Sequence, residues 1–480
     1  MKRTLVTVAM LALLGAIPAS AQVDLSNYVA VGDSLTAGFS SNSLEQCYQE
    51  HSWPAILASQ AGAADFEMPL ISAPGIPNIL QLVDLSLVNG SPVPTIAAVP
   101  GPGGVPINAT LPRPYNNLGI PGASVYDLLF TTGDITNLQA GNTDNVMYDL
   151  ILRTPQVPNP ATGELMPFPA VAQAIALEPT FVTLWAGNND ELGAVLTGTA
   201  ISGVTMTPVD LFAELYPQLL GALASTGADM VVINLPDPTK SAFATSVPPF
   251  VNIPGLGVVP LMGSNGPLTA DCLVTLPASA LIAQGYGLPL PGYPPLPEDL
   301  DLATGQPGYV LRPEEITAIQ QQVDAFNQVI ANAAGAFGAP VFDAHAGMET
   351  VTTTGYTFGG VNINMDFLTG GYIGLDGLHP QQIGYSLLAM QMVNFINEQF
   401  GADIDTVDMY PIMFNNPCLG VTGKGVAGAK ADQVVFTRAA HQRLIDTMLP
   451  HLKQQLLQAQ TPQEEAPAPQ RSRGRRAPRR

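Results

Sequence analysis

Two short strings, far apart in the chain, carry side chains that can do chemistry together. Gly32-Asp33-Ser34-Leu35 places a serine just after an apolar run, and Asp376-Gly377-Leu378-His379-Pro380 places an aspartate three residues before a histidine. A serine hydroxyl attacks a carbonyl only when a nearby base takes its proton. That base works best when a carboxylate fixes its tautomer and stabilises the imidazolium that forms. The histidines are His51, His345, His379, His441 and His451; only His379 has an acidic residue three positions earlier and a proline next. Ser34 is therefore the expected nucleophile, His379 the base and Asp376 its orienting partner. Either string alone could be an ordinary turn. The set, in this order, is what acyl transfer to water requires.

Attack on an ester creates an oxyanion, which needs fixed donors. Three candidates stand out. The Ser34 amide lies at a helix start. The Gly122 amide lies in Asn117 to Ser124 (NLGIPGAS), where glycine lets the backbone approach a ligand closely. The third is the Asn189 side chain in Gly187-Asn188-Asn189-Asp190. No GxSxG string occurs, so the strand–elbow–helix nucleophile of α/β-hydrolases is not supported.

The elements that must position these residues alternate between apolar strands and amphipathic helices. Strands are expected at 28–31, 180–186, 230–233 and 340–342, with a strand end and tight turn at 117–124. Helices are expected at 53–60, from Thr207 and Pro208 onward, from Pro313, and after His379. In the Pro313 helix, Ile316, Ile319, Val323, Phe326 and Ile330 step by three and four, giving one apolar face. In the helix after His379 that face is Leu388, Met392, Phe395 and Ile396. Residues 187–190 read as a turn. Such alternation predicts a parallel sheet covered on both sides, with the site at the carboxyl ends of its strands. Ser34, Gly122 and Asn189 each follow an expected strand, so three distant segments converge on one edge. Residues 69–114 and 238–311 are Pro-rich and read as insertions. Residues 432–458 read as one helix, with Leu444, Met448, Leu452 and Leu456 in register and packed on the body, a partner-binding role being the alternative.

At this point the chain resembles the SGNH, or GDSL, hydrolase family. Its four blocks appear in order: GDSLTAG at 32–38, NLGIPGA at 117–123, GNND at 187–190 and DGLHP at 376–380. The resemblance spans roughly residues 27–400 and implies a flavodoxin-like three-layer α/β/α sandwich. It implies the same roles for Ser34, Asp376 and His379, the same oxyanion donors Ser34, Gly122 and Asn189, and no metal or organic cofactor. It also implies hydrolysis of carboxylic esters, thioesters, phospholipid acyl groups or sugar acetyl groups, or acyl transfer. The apolar character of the insertions, as in Pro248 to Met262, favours acyl esters of lipids over O-acetylated carbohydrate. The alternative of another class is an inactive fold that binds acyl chains; the complete Ser34, Asp376 and His379 set argues against it.

Residues 1–21 read as a secretory signal: Lys2 and Arg3, then an uncharged run from Leu5 to Ile17, then Ala19-Ser20-Ala21. The run is short for a membrane anchor. The expected domains are the signal at 1–21, the hydrolase at 22–400, a helical extension at 401–460 and a disordered tail at 461–480. The expected destination is the periplasm or the outside of the cell. The net charge is −21, although six arginines crowd the last ten residues, so the body is more acidic still. An acidic body argues against nucleic acid as partner. The arginines suit a membrane surface or an anionic envelope polymer, with an inert solvated tail the plainer reading. Cys47, Cys272 and Cys418 allow one disulfide and one free thiol, with Cys272–Cys418 favoured because both lie in late, loop-rich segments. No CxxC or Cys/His spacing suggests zinc.

Overall fold

Runs such as Tyr28-Val29-Ala30-Val31 have no polar face to offer to solvent, so they are stable only when covered on both sides. The computed structural model describes residues 23–88, 91–142, 145–153, 168–415, 418 and 434–460. The expected signal and the Arg-rich tail lie outside the described residues. Eight strands organise the molecule: β1 Tyr28–Gly32, β2 Leu80–Val88, β3 Ser91–Ala98, β4 Asn117–Gly119, β5 Phe181–Trp185, β6 Asp229–Ile233, β7 Val341–Phe342 and β8 Val435–Phe436. The central sheet runs β7-β6-β5-β1-β4 and is parallel throughout. The chain therefore goes from β1 outward to β4, then returns past β1 to build the other half. This is the flavodoxin-like order, and its reversal opens a crevice at the ends of β1, β4 and β5.

Ten helices are used below: α1 Ser34–Ala37, α2 Gln46–Glu50, α3 Trp53–Gln60, α4 Val125–Phe130, α5 Asn189–Thr197, α6 Val209–Ala224, α7 Pro313–Phe337, α8 Gln382–Phe400, α9 Arg438–Met448 and α10 Leu452–Gln460. One face of the sheet carries α3 against α8, the other α6 against α7. The expected apolar stripe of α7 is buried from Ile319 to Ile330, with Ile316 partly covered. The helix starts where Pro313 needs no hydrogen-bond acceptor and the Glu315 carboxylate accepts from the Arg312 amide, 3.1 Å. Phe326 stacks on Phe212 of α6 with centroids 3.9 Å apart. The layers are thus those of a three-layer α/β/α sandwich.

Three local expectations are corrected. Residues 187–190 are not only a turn: α5 begins at Asn189. All nine of its residues are buried, so it has no polar face for a helical pattern to show. In the stretch expected as one helix at 432–458, the described residues 434–458 are not one helix. They form β8, α9 and α10, with the break at Leu449-Pro450, where proline disfavours the helical conformation of the residue before it. The disulfide is Cys47–Cys418, while Cys272 is buried and free. The fold brings residue 418 beside α2, a proximity that a separation of 371 residues hides.

Residues 434–460 form a strap over the site edge. β8 adds in parallel to β3, extending the β2–β3 hairpin of the first insertion. The Phe436 amide donates to Ser279 Oγ of the second insertion, 2.8 Å. Burial pushes the His441 imidazole down to about 4, so it is neutral and its Nε2–H donates to the Leu196 carbonyl at the end of α5, 3.0 Å. Beyond Pro450, His451 Nε2 reaches Asp127 Oδ1 of α4, 2.9 Å. Burial alone would raise the Asp127 carboxyl. Hydrogen bonds from His451, Ser124 and Thr131, together with the His451 charge, outweigh it and hold the carboxyl below its usual value. The hydrogen bond to Asp127 in turn lifts His451 above its ordinary value, against partial desolvation.

Phe326→Ala opens a void between α6 and α7 and is expected to cost about 3–5 kcal/mol in a urea or guanidinium titration. A cost near zero would contradict the packing described. The His451–Asp127 pair has a pH window. The histidine's folded value is raised, so its contribution is complete below about 6.5 and disappears as pH rises through the folded value. The aspartate's folded value is lowered, so its contribution is complete above about 3.9 and disappears as pH falls through the folded value. His451→Gln should therefore lower the melting temperature more at about pH 5.5 than at about pH 8.5. Equal losses at both would count against the ion pair.

Candidate active site

The position of Ser34 follows from Gly32, where a Cβ would lie 2.4 Å from the Trp185 carbonyl of the neighbouring strand. Only glycine lets β1 end so close to β5. The chain then turns into α1, with the Asp33 side chain capping the Leu35 amide at 3.0 Å. Ser34 is the first residue of that short helix and is almost fully buried. Burial pushes the Asp33 carboxyl up to about 6, with the Asn188 amide (2.8 Å) and the Leu35 amide opposing. Asp33 thus ties the loop after β1 to the loop after β5.

Ser34 Oγ stands 2.9 Å from His379 Nε2, and His379 Nδ1 stands 2.9 Å from Asp376 Oδ2. With neutral imidazole, Nδ1–H donates to the carboxylate and Nε2 accepts from the serine hydroxyl. All three expected residues are brought together across 345 residues of chain. Asp376 is fully buried, which alone would raise its carboxyl. The His379 charge and hydrogen bond, and the amides of His379 and Leu378 at 2.9 Å each, outweigh burial and hold it below the usual range. The Asn42 amide also donates to its Oδ2, 2.7 Å. Ser41 and Asn42 both have positive φ, 49° and 59°, which turns that amide toward the carboxylate. The ring of Phe39 meets the His379 ring edge-on at 4.9 Å, and Tyr385 Oη holds the Phe39 carbonyl at 2.6 Å.

The two remaining expected donors flank the serine's strand. The Ile120 amide bonds the Gly32 carbonyl at 2.9 Å, so the loop carrying Gly122 leaves β4 beside the nucleophile. Gly122 has φ +84°, and a Cβ there would lie 2.4 Å from the Thr447 carbonyl of the strap. Asn189 Nδ2 donates to the Ala123 carbonyl at 3.0 Å. An amide NH₂ has two hydrogens, so this bond orients the group and leaves the second for a ligand. Asp190 joins the same loops. Its carboxylate accepts from the Val125 amide at 3.0 Å and the Thr207 hydroxyl at 2.8 Å, while burial lifts it to about 7. Thr207 therefore serves Asp190 rather than capping α6, whose cap position is Pro208.

The sequence reading gave no role to Asp33, Asn42 or Asp190, nor to Asn188 as the partner of Asp33. Asn42 acts through its backbone, which no side chain reports. Asp33, Asn188 and Asp190 stand inside the quoted blocks, so position was the available signal. Among the described residues, the Cys/His/acid group close enough to share an ion is Cys47, His51 and Cys418. Its two sulfurs are joined to each other, so neither offers a thiolate. No helix of the described residues is long and apolar enough to cross a membrane.

The family model described as GDSL-like Lipase/Acylhydrolase matches residues 28–392. Among solved structures, the lipase/acylhydrolase from Enterococcus faecalis is 14% identical, over 78% of this chain and 95% of that one, with a TM-score of 0.30. An acetyl xylan esterase, AlAXEase, is 13% identical, over 77% of this chain and 98% of that one, with a TM-score of 0.28. No curated protein sequence matches. With its parallel sheet, its buried serine–histidine–aspartate line and a match over most of its length, the chain belongs to the GDSL-like lipase/acylhydrolase family and is a hydrolase of ester bonds.

Proposed function

We propose that the protein is an exported serine carboxylic-ester hydrolase that works through an acyl-enzyme and acts on acyl esters of lipids. The observation that carries the mechanism is the unbroken hydrogen-bonded line Asp376–His379–Ser34. Ser34 Oγ attacks the carbonyl carbon while His379 Nε2 takes its proton. The carbonyl oxygen becomes an oxyanion facing the Ser34 and Gly122 amides and the Asn189 side chain. His379 then protonates the leaving alcohol as the C–O bond breaks, which leaves the acyl group on Ser34. Water, deprotonated by His379, attacks that ester, and the carboxylic acid departs as Ser34 recovers its proton. Asp376 stays ionised and stabilises the imidazolium in both halves.

Lipid esters are supported by the second insertion. Its segment Pro248 to Met262 forms the hairpin Phe250–Ile253 and Gly257–Pro260, which leaves Leu256 and Val258 59% and 72% exposed. Apolar residues at an exposed hairpin end suit an apolar surface. Export is supported by the reading of residues 1–21 and by the Cys47–Cys418 disulfide, which persists in oxidising compartments.

The test is hydrolysis of p-nitrophenyl esters from acetyl to palmitoyl. Ser34→Ala should lower kcat by about a thousandfold or more, and Asn189→Ala by about 100–1,000-fold with little change in KM. Undiminished turnover by purified Ser34→Ala would sink the mechanism. A sharp preference for acetyl would move the substrate to O-acetylated carbohydrate.

A further inference from the structure

The family match ends at residue 392, yet the described chain continues from 434 to 460 against the edge that holds the oxyanion donors. Between that segment and the core lies a cleft of about 490 Å³. Gly122 and Asn189 line one side, the strap residues Met448, Leu449 and Leu452 another, and Val204 and Met206 of the α5–α6 loop a third, with the polar side chains of Asp127, Asp190, His451 and Gln454 also in the lining. Its rim carries Tyr126 and Leu211, 53% and 40% exposed. A second, smaller cavity of about 60 Å³ lies elsewhere on the site and is lined by Leu35, Leu378 and Pro380.

The geometry of the reaction assigns these two spaces. The tetrahedral carbon carries Ser34 Oγ, the oxyanion, the leaving oxygen and the acyl chain. The leaving oxygen must face His379 Nε2, which protonates it. The acyl chain must therefore leave on the side away from His379. The larger cleft contains two oxyanion donors and no residue of the Asp376–Pro380 loop, whereas the smaller cavity is lined by both neighbours of His379.

We propose that the larger cleft is the acyl-binding site, that it takes a medium- or long-chain acyl group, and that the C-terminal strap, not the family core, sets the length accepted. This rests on the reading of Ser34 as the nucleophile. A methylene takes up about as much space as a water's share of the liquid, roughly 30 Å³, so the cleft has room for a chain of about sixteen carbons, and acetyl leaves most of it unfilled. The His451–Asp127 pair and the packing of the strap over Gly122 hold the wall in place.

The experiment compares kcat/KM for p-nitrophenyl octanoate and acetate in the full chain and in Leu449→Trp and Val204→Trp, with Ser34→Ala as the blank. The two tryptophans narrow the cleft from opposite walls, so misfolding of one leaves the other informative, and acetate turnover reports an intact catalytic line. The expected result is a wild type that prefers octanoate and variants whose octanoate-to-acetate ratio falls ten- to a hundredfold, chiefly through KM. Ser34-dependent turnover with that ratio unchanged in both variants would overturn the acyl-site assignment and leave the hydrolase reading standing. Absence of Ser34-dependent turnover on every ester would overturn both.

Discussion

The site depends on β1 lying between β4 and β5. Strand order decides which loops can meet, and here the reversal of the sheet at β1 leaves three consecutive strand ends facing one crevice. Ser34, Gly122 and Asn189 each need only be placed just after a strand. The packing then does the positioning: a glycine without room for a Cβ, an aspartate capping a four-residue helix, and an asparagine oriented by its neighbour's carbonyl. The base arrives from 345 residues away, on a loop leading into α8. Its carboxylate is desolvated but held ionised by four hydrogen bonds, one of them from the loop that follows the nucleophile. The Asp376–His379 loop and the loop after Ser34 are thereby locked to each other through backbone and not only through the imidazole.

Much of this was legible in the residues, because the signals were local. Apolar runs of four or five residues marked the buried strands, and the apolar spacing of α7 marked its buried face. The blocks at 32–38, 117–123, 187–190 and 376–380 marked the side chains that the fold brings together. What escaped was whatever depended on neighbours distant in the chain or on the backbone. α5 has no exposed side, so its helical period does not show. The Asn42 amide leaves no trace in side-chain type. The Asp33–Asn188 bond joins positions 155 apart. The Cys47–Cys418 pairing depends on where the extension returns, which spacing between cysteines does not report. Pro450 was visible, yet the steady recurrence of leucine and methionine across it suggested continuity that the proline breaks.

The extension changes the character of the fold around the loops of the crevice. A parallel sheet with its crevice open needs only the loops after its strands. Here the chain returns after the last core helix to join a strand to one insertion, a backbone amide to the other, and two histidines to the helices behind the oxyanion donors. Insertions that would otherwise be independent loops share one covering element. The Gly122 backbone lies so close to the Thr447 carbonyl that the loop and its cover cannot be repacked separately.

That arrangement bears on the order in which the protein comes into being. Synthesis proceeds from the amino terminus, and domains generally fold in that direction as they emerge. Ser34 is made well before its partner His379, and the cover begins only at 434. Until residue 379 has emerged, the nascent chain carries Ser34 with no imidazole beside it. Even when the partner has emerged, the crevice still lacks its outer wall. The crevice is thus closed only after the segment from residue 434 has emerged, a delay imposed by topology alone.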